Sequence, residues 1–357
     1  MRKIIVSFLL FCFAFTANAQ VNDRSWQKFV YEMPDEFYAS DEAIAIAENV
    51  LLYQFEIGGW QKNTPMQLPL TEEEKQEIIA KKPTNRGATT DNGATIMEMD
   101  FLAKIYQHTH DERYREAFVR GLDYLIEAQY PNGGWPQYYP LRKGYYSHIT
   151  YNDDSMVRIM ALLKNIAEEA KHYDIIVEFE TAQKAREAFE RGIECVLKTQ
   201  IVQDGILTGW CAQHDEHTLA PAKARAYELP SLSGKEGANI VLLLMDIENP
   251  SPEVINAVRS AVAWFDKVRI QGIRVETFRD EDGKRDRRVI EDPDASDIWA
   301  RFYTLEDNRP MFVGRDGIIR FSLAEIEQER RGAYGWYTTD PREIFEKYPA
   351  WEERINQ

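Results

Sequence analysis

Two short stretches of this chain set acids where a helix begins, and a third sets bases there. In ATTDNGAT at 88–95 and in ITYNDDSM at 149–156, hydroxyl-bearing residues lead into Asn and Asp side chains, and a helical pattern follows at once. Asp91 with Asn92, and Asp153 with Asn152 and Asp154, are hard oxygen donors of the kind that calcium gathers in flexible geometry. No linear calcium loop is present, so a site has to be assembled from separate segments. An Asp or Asn at a helix start is more often only a cap; two equivalent openings that converge weigh against that reading. Zinc is disfavoured, because the 6 His are scattered with no pair at ligand spacing. Before a third helix, residues 221–239 carry Lys223 and Arg225 instead of acids. The acidic openings read as holders of a cation, and the basic one as the source of the reacting group.

The elements that position these openings are helical and come in pairs. Ile96, Met99, Ala103 and Tyr106 share one face, and Tyr114, Phe118, Leu122 and Leu125 form the next. A second pair follows on Met156, Ile159, Met160, Leu163 and Ala167, then on Ala185, Phe189, Ile193, Val196 and Leu197. The third covers 240–247 and 254–268, broken by Asn249-Pro250. Earlier come a helix over 40–55 capped by Ser40, and one over 71–82 in which Thr71 and Glu74 make a capping box. Connections within pairs are short, whereas those between pairs, 57–94, 130–152 and 201–235, are long. In an array of antiparallel helical hairpins the between-pair connections share one end, so the long loops meet.

Each long loop opens alike, with GGWQ, GGWPQ and DGILTGW, and Trp60, Trp135 and Trp210 are evenly spaced. That is an internal repeat of three hairpins arranged around an axis. The tryptophans either plug the helix ends or offer faces to sugar rings, and the two readings stand level. After Gln271 the pattern changes to a β-hairpin around Asp282-Gly283, and residues 342–354 read as a closing helix. Arg225, Arg301, Arg309, Arg315 and Arg320 lie in loops; such a set in a cleft suits an acidic ligand, although surface pairing is the default for each singly.

The 357 residues, with an apolar fraction of 44%, allow a sizeable core. A formal charge of −16 with no basic stripe argues against a nucleic-acid partner. The first 19 residues read as a secretory signal peptide: Arg2 and Lys3, an apolar run too short to span a bilayer, then Ala17-Asn18-Ala19. The expectation is therefore a secreted or periplasmic monomer without a membrane anchor, folded as a single catalytic domain over 20–357. Cys195 and Cys211 are expected to remain separate thiols.

Taken together, TTDNGAT, GGWPQYYPL, ITYNDDSM, PAKARAYELPSLSG and RFYTLEDNRPMFVGRDG resemble polysaccharide lyase family 10, the helical pectate lyases, in order and over nearly all of the chain after the signal. The resemblance implies a mainly α, (α/α)3 toroid-like incomplete barrel of helical hairpins, with a few short strands and long loops at one end. It also implies calcium-dependent β-elimination of polygalacturonate, the backbone of demethylated pectin. Carried across, Asp91 and Asp153, with the adjacent Asp154, hold calcium, and Arg225 is the Brønsted base. Arg301 and Arg315 grip or face the uronate, with Lys223 beside them in the motif; of the evenly spaced tryptophans, Trp135 is the one expected at the substrate. An arginine base, whose pKa calcium and neighbouring arginines would lower, predicts an alkaline optimum. Two rivals are weighed: a uronyl hydrolase on an α/α barrel using Asp91 and Asp153 as its carboxylate pair, and a non-catalytic pectin-binding protein with a tryptophan platform.

Overall fold

A computed structural model describes residues 25–168, 173 and 178–356, so the segment read as an export signal lies outside the described residues. Among the described residues, 25–128, 138–140, 162–168, 173 and 178–186 form one compact unit; 129–137, 141–161 and 187–356 form another.

In the first unit α1 spans Trp26–Glu32, α2 Asp41–Tyr53, α3 Glu72–Lys81, α4 Ile96–Thr109 and α5 Glu112–Glu127. The starts of α2 to α5 are where the sequence puts them, whereas α1 goes unread there. Ser40 Oγ accepts from the Ala43 amide at 3.1 Å, and Thr71 and Glu74 close both halves of a capping box. Helices α4 and α5 turn on His110, in left-handed backbone, and Asp111 caps α5. Tyr114, Phe118, Leu122 and Leu125 are buried, as their spacing requires.

Helix α1 is clipped to α4 through two buried acids. Trp26 Nε1 donates to Glu98 Oε1 at 2.7 Å, and Tyr31 Oη donates to Asp100 Oδ2 at 2.7 Å. Burial pushes the Glu98 carboxyl up to about 7. The unfolded chain then releases this proton near pH 4.5 while the folded chain keeps it to about 7, so stability falls as pH rises across that window. Glu98→Gln should remove this slope, which is worth about 3 kcal/mol as an order of magnitude. Thermal unfolding at pH 5 and pH 8 checks it: the wild type loses more stability than the variant on going to the higher pH.

The second unit takes the start of α6, Ser155–Ala167, and the end of α7, Phe179–Thr199, followed by α8, Glu236–Met245, and α9, Pro252–Lys267. The β-hairpin pairs Ile273–Arg279 with Arg285–Glu291, and Gly283 supplies the left-handed turn backbone expected of Asp-Gly. Helices α10, Gln328–Ala333, and α11, Pro341–Ile355, end the chain. Two-residue strands tie the second and third long loops together, Ile149 and Thr150 pairing with His214 and Gln213, and tie the third to the segment after the hairpin, Leu232 and Ser233 pairing with Tyr303 and Phe302. Within this unit, then, the long loops do meet. Cys195 and Cys211 are buried free thiols, and among the described residues no helix is long and apolar enough to cross a membrane.

The repeat has a physical basis that the tryptophans alone do not reveal. Gln54 Nε2 donates to the carbonyls of Gly58 and Ala117, Gln129 Nε2 to those of Gly133 and Ala188, and Gln200 Nε2 to those of Thr208 and Ala257. Each glutamine thus ties the loop after its helix to a later helix, α5, α7 and α9 in turn, and satisfies carbonyls that would otherwise be buried unpaired. At Gly58 and Gly133, both at positive φ, an added Cβ would fall 2.1 Å from the Arg120 carbonyl and 1.9 Å from the Arg191 carbonyl. Only glycine permits so close an approach.

Candidate active site

In the second unit the turn Asn152–Asp154 sets its acids by backbone geometry. The Tyr151 and Asn152 amides both donate to the Ala212 carbonyl, at 3.0 and 2.8 Å, which fixes the chain just before the turn. Asp153 and Asp154 then both adopt left-handed backbone, with φ of 51° and 63°. Asp tolerates that region better than most residues, and successive instances are uncommon enough to mark a site. The first unit has the matching turn, Asp91–Gly93, with Asn92 at φ 54° and Gly93 at 77°. Matched by conformation, Asp91 corresponds to Asn152, and Asp153 to Asn92. The two openings are alike in shape, but their acids are offset by one residue.

Arg301 lies beneath the Asn152–Asp154 turn. Its Nη2 donates to Glu236 Oε1 at 2.6 Å and to Asn152 Oδ1 at 3.1 Å, and lies 3.4 Å from Asp153 Oδ1. The residue is 6% exposed, so this guanidinium braces the acids from below more than it faces solvent. Burial works against its charge, but Glu236 above all, with Tyr334 and Asp153, outweighs burial and raises its pKa. Glu236, at the start of α8, is fully buried; burial would raise its pKa, yet Arg301, Lys235 and the Ser233 hydroxyl hold it below the usual range. Asp153 is held low by Arg301 and Lys235 against its own burial, with help from Arg225. For Asp154, burial wins and its pKa rises, although Lys235 and Asn239 oppose it. Lys235 Nζ stands 3.5 Å from Asp153 Oδ1, and Asn239 Nδ2 donates to Asp154 Oδ1 at 2.8 Å.

Arg225 belongs to a tight turn closed by the Glu228 amide on the Arg225 carbonyl and the Ala224 amide on the Glu228 carbonyl, at 2.9 and 3.0 Å. Glu228 accepts from Arg225 Nε at 2.7 Å and also from its Nη2. Tyr334 Oη donates to the same carboxylate at 2.7 Å. The Arg225 Cζ lies 5.1 Å from the Tyr227 ring and 5.8 Å from the Tyr334 ring, and Arg301 Cζ lies 4.8 Å from the latter. The arginine expected to have a lowered pKa has a raised one: burial lowers it, but the Glu228 carboxylate more than compensates.

The remaining expected residues fall outside this cluster or behave differently. Lys223 is exposed, two residues before Arg225. Arg315, with 63% of its side chain exposed, pairs with Glu329. Asp91, in the first unit, is buried and ion-paired with Lys62. Trp135 has to be corrected: it is 1% exposed, and Trp60 and Trp210 are both 0% exposed. The Trp60 and Trp210 indoles donate to the carbonyls of Val50 and Val196. All three rings are buried, so Trp135 does not offer a face to a sugar, and the three do not form the platform of the binding-protein reading.

The donors of the turn, Asn152, Asp153 and Asp154, are all oxygen, and Asp154 keeps one carboxylate oxygen without a hydrogen-bond partner among the described residues, which fits a hard cation such as calcium. A different cluster, which spacing did not reveal, brings His148, Asp215 and Glu216 within 4.8 Å of one another. Its members are engaged locally, with His148 Nδ1 3.0 Å from Glu216 and Asp215 capping the amides of His217 and Thr218.

Comparison with known families matches residues 54–345 to pectic acid lyase. The chain belongs to that family. This lyase is also similar to the family 10 polysaccharide lyase of Cellvibrio cellulosa, with a TM-score of 0.76 and 31% identity over 91% of this chain and 95% of the other. A mutant of that enzyme in complex with trigalacturonic acid matches with the same TM-score at 30% identity. Comparison with curated proteins matches none. The lyase therefore has the helical fold of family 10 and is an enzyme acting on polysaccharide.

Proposed function

We propose that this lyase cleaves α-1,4-linked polygalacturonate by calcium-dependent β-elimination, leaving 4,5-unsaturated oligogalacturonides. The observation that carries the reading is the meeting, in one unit, of ionised Asp153, its neighbour Asp154 and the cations Lys235, Arg301 and Arg225. Such a mixture receives a uronate carboxylate and a divalent ion together, which neither a purely acidic nor a purely basic cleft does. The trigalacturonic acid bound by the Cellvibrio relative has this chemistry.

In this reading Asp153 and Asp154 hold calcium through carboxylate oxygens, and the family resemblance gives Asp91 a calcium-holding role as well. Bound there, calcium would neutralise negative charge developing on the uronate carboxylate. Arg301 keeps Asp153 ionised and in place. Lys235 faces the substrate carboxylate, with Lys223 and Arg315 as further cations toward the chain. Arg225, in its neutral form, takes the C5 proton; the C5–H electron pair becomes the C4=C5 bond, and the C4–O bond breaks with its electrons leaving on the glycosidic oxygen. No water is consumed. Because the reacting form of Arg225 is the deprotonated one and Glu228 raises its pKa, the rate should climb into the alkaline range.

Export through the N-terminal segment and a monomeric state complete the proposal. Turnover of polygalacturonate at alkaline pH, followed by ultraviolet absorbance of the new C=C–COO⁻ group, should vanish on chelation and return with calcium. A rate unaltered after thorough metal removal would contradict the roles of Asp153 and Asp154.

A further inference from the structure

The proposed base sits in a clamp that neither the family match nor the motif accounts for. Glu228 is 6% exposed and turns both carboxylate oxygens on one edge of Arg225, Oε2 on Nε at 2.7 Å and Oε1 on Nη2. Oε2 also accepts from the Arg225 amide at 3.2 Å, so one carboxylate fixes the backbone and the side chain of the same residue. Tyr334, itself buried, fixes the carboxylate in turn. Of the guanidinium nitrogens, Nη1 alone has no hydrogen-bond partner among the described residues.

We infer that Glu228 is a positioning residue for the elimination: it locks the Nε–Nη2 edge of Arg225 so that Nη1 is the nitrogen that receives the C5 proton. The inference rests on Arg225 being the base. A guanidine has three nitrogens and a long flexible stem, and rotation about its terminal bonds would present each to the sugar in turn. A two-pronged carboxylate removes that freedom before substrate arrives. The clamp also has an electrostatic consequence. A carboxylate against the guanidinium favours the charged form, which makes the neutral base scarcer at a given pH but more avid for a proton once formed. The other groups facing Arg225 are Tyr227, Tyr334, Tyr145 and Asp153, and Glu228 outweighs the tyrosines in holding the charge. Glu228 thus sets both the aim of the base and the pH at which it works.

The test compares pH profiles of kcat and KM on polygalacturonate for the wild type, Glu228→Gln, Tyr334→Phe, Arg225→Ala and the double variant Arg225→Ala/Glu228→Gln. Glu228→Gln should move the alkaline limb of kcat to lower pH by about one unit or more, because one adjacent opposite charge is worth roughly 1–3 units. It should also lower the plateau, because a less basic guanidine takes the proton less readily, and leave KM nearly unchanged. Tyr334→Phe keeps the ring but removes the donor that shares the carboxylate's charge, so it should move the limb the other way; it serves where the glutamine variant fails to fold. Arg225→Ala should be inactive at every pH, and the second substitution should cost it nothing further. An unmoved limb in both Glu228→Gln and Tyr334→Phe, with Arg225→Ala inactive, overturns the positioning role and leaves the base in place. Substantial turnover by Arg225→Ala overturns the base, and this inference with it.

Discussion

Arg225→Ala should lose turnover of polygalacturonate by about 10²–10⁴-fold, the usual contribution of a positioned base, while binding of an oligogalacturonide changes little. The expectation follows from where the charge of this residue is spent. Its guanidinium is neutralised by Glu228 at 2.7 Å, so in the free enzyme it adds little net attraction for a polyanion. What disappears with the side chain is the nitrogen at the C5 proton, which is needed only in the transition state. A loss confined to kcat is the signature of such a group. Arg225→Lys should recover little, because an ammonium cannot engage Glu228 along a two-pronged edge and still present a free nitrogen. Steady-state kinetics at alkaline pH, paired with calorimetric binding of trigalacturonate to the variant, measures both halves. A rise in KM with kcat intact would instead assign Arg225 to substrate binding.

Arg301→Ala should be the most damaging single change to the second unit. It removes the 2.6 Å partner of Glu236, whose fully buried carboxylate then keeps only Lys235 at 3.9 Å and the Ser233 hydroxyl, and breaking a buried pair costs about 3–5 kcal/mol. It also frees Asp153 and Asn152, so activity should fall together with stability. The pH dependence distinguishes this from a simple loss of packing. In the wild type the pKa of Glu236 is depressed, so its contribution to stability is present above the ordinary glutamate range and is lost as pH falls through the folded value. Without Arg301, the largest influence holding that pKa down is gone, so it moves up and the variant should gain stability, relative to wild type, on acidification. Denaturant unfolding of both proteins at pH 5 and pH 8 reads the difference. An equal deficit at the two pH values would mean that Glu236 is not the group left unpaired.

Much of this architecture is written in local chemistry. Ser40, Thr71 with Glu74, and Asp282-Gly283 act on their immediate neighbours, so residue type alone places the helix starts and the hairpin turn. The neighbourhood of Asp153 is legible for the same reason, as adjacent oxygen donors at a helix opening. Long-range pairing is what escapes. Glu228, Glu236, Lys62 and Lys235 each look like members of a solvated charge run, and only the fold makes two of them fully or nearly buried partners of arginines. Trp135 misled because a Trp after a Gly-Gly pair looks the same whether it faces a sugar or a helix. The preceding glutamine, doubly bonded to backbone in each repeat, is the better sign that the loop is a packing joint. The two openings match in shape while their acids are offset by one residue, because composition matches acids whereas the turns match left-handed positions.

The mode of bond breakage is open to one direct measurement: digestion of polygalacturonate in isotopically labelled water, with mass spectrometry of the oligosaccharide ends. Elimination with proton transfer to Arg225 predicts 4,5-unsaturated non-reducing ends, with no oxygen from water built in during cleavage. Saturated ends carrying labelled oxygen at the broken linkage would mean that water had attacked, and would contradict β-elimination by this enzyme.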